Sequence, residues 1–421
     1  MQTEVTALPV AIVRGGTSKG IFIMKNALPA DPALRDRVIL SVFGSPDLRQ
    51  IDGLGGADPL TSKLAIIAPA SRPDADVDYI FGQVSLSEAF IDYGGNCGNI
   101  SAAVGAFAIQ KGMIAAEAPL TRVRIHMVNT GRILIADVPV ADGMPRVEGD
   151  CSIDGVPGSG ARIDLDWADC GGETTGALLP SGAPCDTIEA GGREYQVSII
   201  DAGNVTVFID AGALGLRGTE TPAEISGDAQ RMALIEEIRA KAAQRIGLID
   251  DWHEAAQQIP YAPFFSIVSS PRTHDTFNGK HIEADQCDIV SRLVFMQALH
   301  KAHPVTGTVA LGAAARIPGT LVYQRMAPAA HAGDRLRIGH PSGVIVTDCA
   351  VGRQGETYQL RKSRVTRTAR ILLEDNFTCE TACWLRRPTG SSASRRAEPR
   401  GPLTRPLCWR AHPAPLTKEF P

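Results

Sequence analysis

The sequence predicts an α+β fold of two similar halves, each a twisted mixed β-sheet wrapped around one central buried helix. Three observations lead there. Short segments of alternating apolar and polar residues recur along the chain, separated by Gly, Pro and Asp, which is the pattern of half-buried strands. Two other segments, Ile100 to Ile109 and Val309 to Ile317, are built largely of Ala, Gly, Val, Ile and Leu with almost no charge. A helix that is apolar all round must lie inside a core. Each follows a turn of small residues, Gly94 to Gly98 and Pro304 to Gly307. Placing Cys97-Gly98-Asn99 against Thr306-Gly307-Thr308 brings the helices into one register, as an internal duplication would.

The elements follow in order. Ala11 to Val13 is a strand leading into Arg14. Arg122 to Val128 alternates clearly, with Val123, Ile125 and Met127 on one face and Arg122, Arg124 and His126 on the other. Ile133 to Val138, Tyr195 to Ile200, Val205 to Ile209 and Leu336 to Ile338 read the same way. Asp228 to Ile246 carries Met232, Ile235, Ile238, Ala242 and Ile246 on one stripe and stops at Gly247, which predicts an amphipathic surface helix. A boundary between residues 180 and 205 divides the chain into halves of 1–190 and 191–379.

At 421 residues the chain is long enough for two or three packed units on a prior of about 150 residues each. Its 44% hydrophobic and 21% charged residues exclude a disordered or fibrous protein. The net charge of -4 offers no basic field for a phosphate backbone, so no nucleic-acid partner is expected. Residues 380–421 differ from the rest. They hold eight Lys and Arg, three Asp and Glu and seven prolines, which predicts a basic, disordered tail without a catalytic role. No run of 18 apolar residues occurs and Met1 to Val13 has no secretory pattern, so a cytoplasmic protein without membrane contact is expected. Nine cysteines without a Cys-x-x-Cys pair suggest neither a disulfide framework nor zinc. His300 and His303 lack a third ligand, and no metal is expected.

Cys97 is the sharpest chemical feature. Glycines on both sides open its backbone and a helix starts beside it, so free amides and the helix dipole favour a thiolate or a bound carboxylate. The alternative is a small buried hydrophobe. Lys63 stands where the polar Asp58 to Ser62 turn enters an apolar strand. It is either a partly desolvated base or a strand-end lysine reaching solvent. Arg14 to Gly20 is a nest-like loop that could hold an anion but lacks Walker spacing. His340-Pro341-Ser342-Gly343 is a turn in which Ser342 could hold a carboxylate or simply reverse the chain.

Together, Arg14 to Gly20, Phe43 to Asp47, Gln50 to Gly53, Thr61-Ser62-Lys63, Gly95-Asn96-Cys97-Gly98-Asn99 and Ile317-Pro318-Gly319-Thr320 resemble the PrpF family, in order across residues 9–374. That family includes 3-methylitaconate, 2-methylaconitate and 4-oxalomesaconate isomerising enzymes. It shares the diaminopimelate-epimerase-like fold of two wrapped-helix halves. Arg49 to Leu54, Ala57 to Ile67, Gly149 to Cys151 and the Met296 to Lys301 stretch look most like its methylitaconate isomerase branch. The resemblance implies catalytic roles for Lys63 and Cys97, and a homodimer is compatible with it. It also departs from the family pattern after Glu374, where a closing strand is expected to be lost.

The implied activity is a cofactor-independent shift of a carbon-carbon double bond in a small unsaturated di- or tricarboxylate, by 1,3-proton transfer between Lys63, Cys97 and substrate. Substrate ligands would come from Thr17, Ser18, Ser62, Asn96, Gly98, Asn99, Asn129, His300, Thr306, Gly307 and Ser342. An amino-acid racemase is a competing reading, disfavoured because Thr306 stands where a second thiol would cap the second helix. A non-catalytic dicarboxylate-binding protein is the alternative from another class.

Overall fold

The computed structural model describes residues 5–355 and 357–380; the tail expected over 380–421 lies outside them except for Glu380. Seven α-helices are described: α1 Pro32–Phe43, α2 Gly98–Gln110, α3 Pro222–Ser226, α4 Ala229–Arg245, α5 Ala255–Gln258, α6 Val305–Ala314 and α7 Leu321–Arg325. Among them α2 and α6 form the two buried centres. Every residue of α6 is buried, and α2 exposes only Ala106 partly and Gln110. Their small side chains let strands approach closely: a Cβ on Gly105 would come within 2.9 Å of Val138 Cγ2, and one on Gly312 within 3.1 Å of Cys349 Cβ.

The first sheet runs antiparallel from Val5–Gly15 to Ser18–Met24, then parallel to Lys63–Pro69, antiparallel to Val77–Val84 and parallel to Leu120–Met127. Arg132–Ala141 and Ile163–Asp166 extend it. The second sheet orders Arg193–Ala202, Asn204–Asp210, Phe264–Ser269, Ile289–Phe295, Arg335–His340 and Gly343–Gln354. Thr357–Arg367 pairs with Gly343–Gln354 on one edge and Ile163–Asp166 on the other, so one ladder joins both sheets.

The amphipathic stripe at Asp228 to Ile246 is α4, with Asp228 accepting from Arg231 N–H at its start and Gly247 at φ 73° beyond its end. Two expectations are corrected. The closing strand is present: Ala369–Glu380 pairs along Val5–Gly15, from Ala369 opposite Gly15 to Glu380 opposite Val5. Main-chain pairing tolerates Asp375 and Asn376, and Phe377 packs on the cluster around α1. The second buried helix starts at Val305 rather than near Val309, because Pro304 takes extended backbone angles (φ -61°, ψ 139°) and caps it. Cap for cap, the counterpart of Cys97 is therefore Pro304, and Thr306 is the second residue of the helix.

Candidate active site

The N-termini of α2 and α6 meet. A Cβ on Gly98 would lie 2.5 Å from Val305 Cβ and 2.9 Å from Trp167 Cζ2, so only glycine lets the two helix starts abut. Neither cap residue, Cys97 or Pro304, makes a side-chain hydrogen bond to the first turn. The leading amides of both helices are thus left for whatever occupies the cleft in front of them. That cleft, about 500 Å³ including its mouth, is lined by Ser18, Lys63, Asn96, Cys97, Gly98 and Asn99 from the first half and by Asn204, Tyr261, His300 and Thr306 from the second.

Lys63 is the first residue of its strand and only 4% exposed. Its Nζ donates to Gln83 Oε1 at 2.8 Å, and Gln83 Nε2 donates to Pro59 O and Ser62 O. The rings of Phe81 and Phe295 flank Nζ at 5.4 and 5.9 Å. Gln83 sits directly opposite Lys63 on one neighbour strand and opposite Asp92 on the other, which brings the Asp92 carboxyl into the cleft. Burial pushes that carboxyl up to about 6, although Gly94 N–H donates to it. Burial and nearby Asp92 likewise push the Tyr261 phenol up.

His300 is neutral. Burial takes its imidazole down to about 4, and Ala302 N–H donates to Nδ1 at 3.0 Å, so the proton sits on Nε2. The adjacent Lys301 Nζ meets Asp58 Oδ2 at 2.6 Å, tying the segment that carries His300 to the turn that precedes Lys63. The hydroxyl of Ser18 and the side-chain oxygens of Asn96 and Asn204 are buried here without a hydrogen-bond partner among the described residues. A bound polar molecule would satisfy them.

Of the residues named from sequence, the structure brings Lys63, Cys97, Ser18, Asn96, Gly98, Asn99, His300 and Thr306 to this cleft. The other five lie elsewhere. Ser62 Oγ donates to Gln50 Oε1, and Asn129 ties Phe81 to the Tyr93 carbonyl. Gly307 packs against Leu293, and Ser342 Oγ donates to Lys301 O. Thr17 lines a separate cavity. The Arg14 to Gly20 segment is a tight hairpin, not an open anion loop: Gly16 N–H donates to Thr368 O and Thr17 N–H faces Asn99 Oδ1 at 3.4 Å. Sequence reading missed Gln83, Asp92, Asn204 and Tyr261. No alternation marks Gln83, because its strand Val77–Val84 is buried on both faces.

The PrpF protein family matches residues 5–379. The chain belongs to this family. It is 49% identical over 376 residues to a 3-methylitaconate isomerase from Eubacterium barkeri, covering 89% of this chain and 98% of the relative. It is 40% identical to a 2-methyl-aconitate isomerase from Shewanella oneidensis (86% of this chain, 94% of that protein). A 4-oxalomesaconate tautomerase from Pseudomonas putida is also 40% identical (89% and 96%). A crystal structure of methylitaconate-delta-isomerase superposes with a TM-score of 0.78 at 46% identity, covering 92% of this chain and all of that one. A hydroxyproline epimerase matches with a TM-score of 0.54 at 15% identity, over 90% of this chain and 94% of that one, which shows the shared two-half fold. This member of the family is an isomerase.

Proposed function

We propose that the chain shifts a carbon-carbon double bond in a small unsaturated di- or tricarboxylate of the 3-methylitaconate type, with Lys63 and Cys97 handling the proton. The observation that carries this reading is one cleft in which Lys63, Cys97, a neutral His300 and two uncapped helix starts converge. The halves that meet there are taken as residues 1–190 and 191–379.

A base removes a proton from carbon next to an unsaturated acid, leaving its electron pair delocalised as a dienolate. An acid then returns a proton two atoms along, and the double bond moves. Carbon acids of this kind are weak, so the dienolate needs preorganised donors. The amides opening α2 and α6 and the Nε2–H of His300 supply them. Gln83 holds the Lys63 amine in place, and flanking aromatic rings keep water away. The second half caps its helix with Pro304, which has no exchangeable proton, so a two-thiol racemisation has no second acid there.

The test is a proton-NMR assay of 3-methylitaconate, 2-methylaconitate, aconitate and 4-oxalomesaconate in deuterated water. Turnover with deuterium uptake is expected for at least one. Cys97→Ala and Lys63→Ala should each lower turnover by at least ~10²-fold while substrate still binds. A variant that exchanges the substrate proton without forming product has kept the base and lost the acid. Binding without any deuterium uptake by the wild-type protein, or near-normal turnover by Cys97→Ala, would sink the mechanism.

A further inference from the structure

Behind the cleft, across Asn99 and the Thr17-Ser18 step, lies a separate cavity of about 810 Å³ including its mouth. Its floor holds Arg367, 4% exposed and without a carboxylate partner among the described residues. The guanidinium donates from Nε to Asn99 Oδ1 at 3.0 Å and from Nη1 to Thr366 O at 2.8 Å, its two hydrogen bonds among the described residues. Burial pushes this guanidinium down to about 10, as expected for a cation with nothing to neutralise it. Thr17 Oγ1, which lines the same cavity, is buried with no hydrogen-bond partner among the described residues. His340 also faces the cavity. Ser342 N–H donates to its Nδ1 at 3.2 Å, so in the neutral ring that burial enforces, Nε2 is a donor.

The remaining charges favour the same sign of ligand. Arg162 and Arg364 are paired with Asp164 and Asp166, and Asp154 is held by Lys280 Nζ and Val344 N–H. Arg335 lines the wall cross-strand from Asp348, and these two leave the Arg367 charge in excess. The unpartnered Thr17 hydroxyl and the His340 ring therefore line the same cavity as a buried guanidinium that has no carboxylate partner among the described residues. We propose that this cavity is a second binding site, distinct from the catalytic cleft, for a small multiply charged oxyanion, a polycarboxylate or a phosphate, held on the Arg367 fork with Thr17 and His340.

The experiment is isothermal titration of the full chain with citrate in one arm and inorganic phosphate in the other. Binding is expected in at least one arm, and the arm that binds tightly names the source. Arg367→Gln should weaken it by at least ~10-fold, the loss typical of a charge-assisted hydrogen bond. Arg335→Gln, at a residue that lines this cavity and not the cleft, should weaken it less while leaving kcat at saturating substrate unchanged. If Arg367→Gln fails to fold by circular dichroism, Thr17→Val and Arg335→Gln decide, each expected to weaken binding severalfold. No binding of either probe at millimolar concentration, or binding unchanged in these variants, overturns the proposal. Citrate held in the catalytic cleft instead would be insensitive to Thr17→Val and Arg335→Gln, so these variants separate the two sites whatever the cleft turns over.

Discussion

Replacing Gly98 by alanine tests the contact on which the site is built. An added Cβ would fall 2.5 Å from Val305 Cβ, 2.6 Å from Val305 Cγ1 and 2.9 Å from Trp167 Cζ2. Carbon atoms in contact normally sit about 3.5–4.0 Å apart, so the new methyl is about 1 Å too close to two neighbours. Neither can retreat. Val305 and Trp167 are 1% and 0% exposed, and the valine is stiff at χ1. Overpacking usually costs about 1–3 kcal/mol, and with two rigid neighbours we expect about 3 kcal/mol. At roughly 2 °C per kcal/mol for a chain of this size, the melting temperature should fall by about 6 °C. Because Gly98 adjoins Cys97, a backbone shift of about 1 Å should also lower turnover by about 10²-fold. Val305→Gly removes the clash, so the double variant should be less damaged than the two single losses combined, by at least about 1 kcal/mol. Urea unfolding and deuterium uptake by substrate read the two effects. A Gly98→Ala protein within about 0.5 kcal/mol of wild type, or an additive cycle, would refute the abutting helix starts.

Gln83→Leu keeps the volume but removes the acceptor for Lys63 Nζ, and should lower turnover by about 10–100-fold at a stability cost of about 1–3 kcal/mol, read by kinetics and urea unfolding. Asp92→Asn should act in the opposite direction on stability. Its folded carboxyl is held up to about 6, against about 4 in the unfolded chain, so charging it costs stability that builds as pH rises through that window. The variant should be more stable by up to about 3 kcal/mol at pH 7, and should lose any activity change centred near pH 6. For the whole chain, burial holds His300 at about 4, His303 at about 3 and His340 well below 6.5. The unfolded chain takes up these protons first, so their stability is complete above pH 6.5 and falls as pH is lowered towards 4. At pH 5 this amounts to about 2 kcal/mol for each of His300 and His303, and His340 acts in the same direction. Asp92 and Glu173, pushed up to about 6 and about 8 by burial, act in the opposite direction, so the imidazole contribution is read from His300→Gln and His303→Gln, each of which should lose about 2 kcal/mol less stability than wild type between pH 7 and 5. Variants whose urea midpoints follow the wild-type pH dependence would contradict the neutral, buried imidazoles.

Much of the fold was legible in the sequence because its signals are local. Apolar residues all round Ile100 to Ile109 can only be buried, the stripe of Asp228 to Ile246 can only face a core on one side, and glycines around Cys97 can only mark a helix start that something approaches closely. Cys97 and Lys63 could be singled out for the same reason: each stands at the end of its own element. Pro304 shows the limit of such signals, since a small-residue turn does not say at which residue the helix begins.

What only the tertiary structure decided is which other residues face those two. Gln83 and Asp92 reach Lys63 through strand register, Asn204, Tyr261 and His300 arrive from the far half, and Asn129 and Ser62 turn instead to hold the backbone. The Arg367 cavity is likewise the work of the strand Thr357–Arg367 lying between two sheets. A residue's neighbours in sequence determine its conformation over a few positions, because propensity and capping act through the adjacent backbone. Its neighbours in space depend on register and on close packing between segments hundreds of residues apart, and a shift of one residue in any strand would present a different set of side chains to the same cleft.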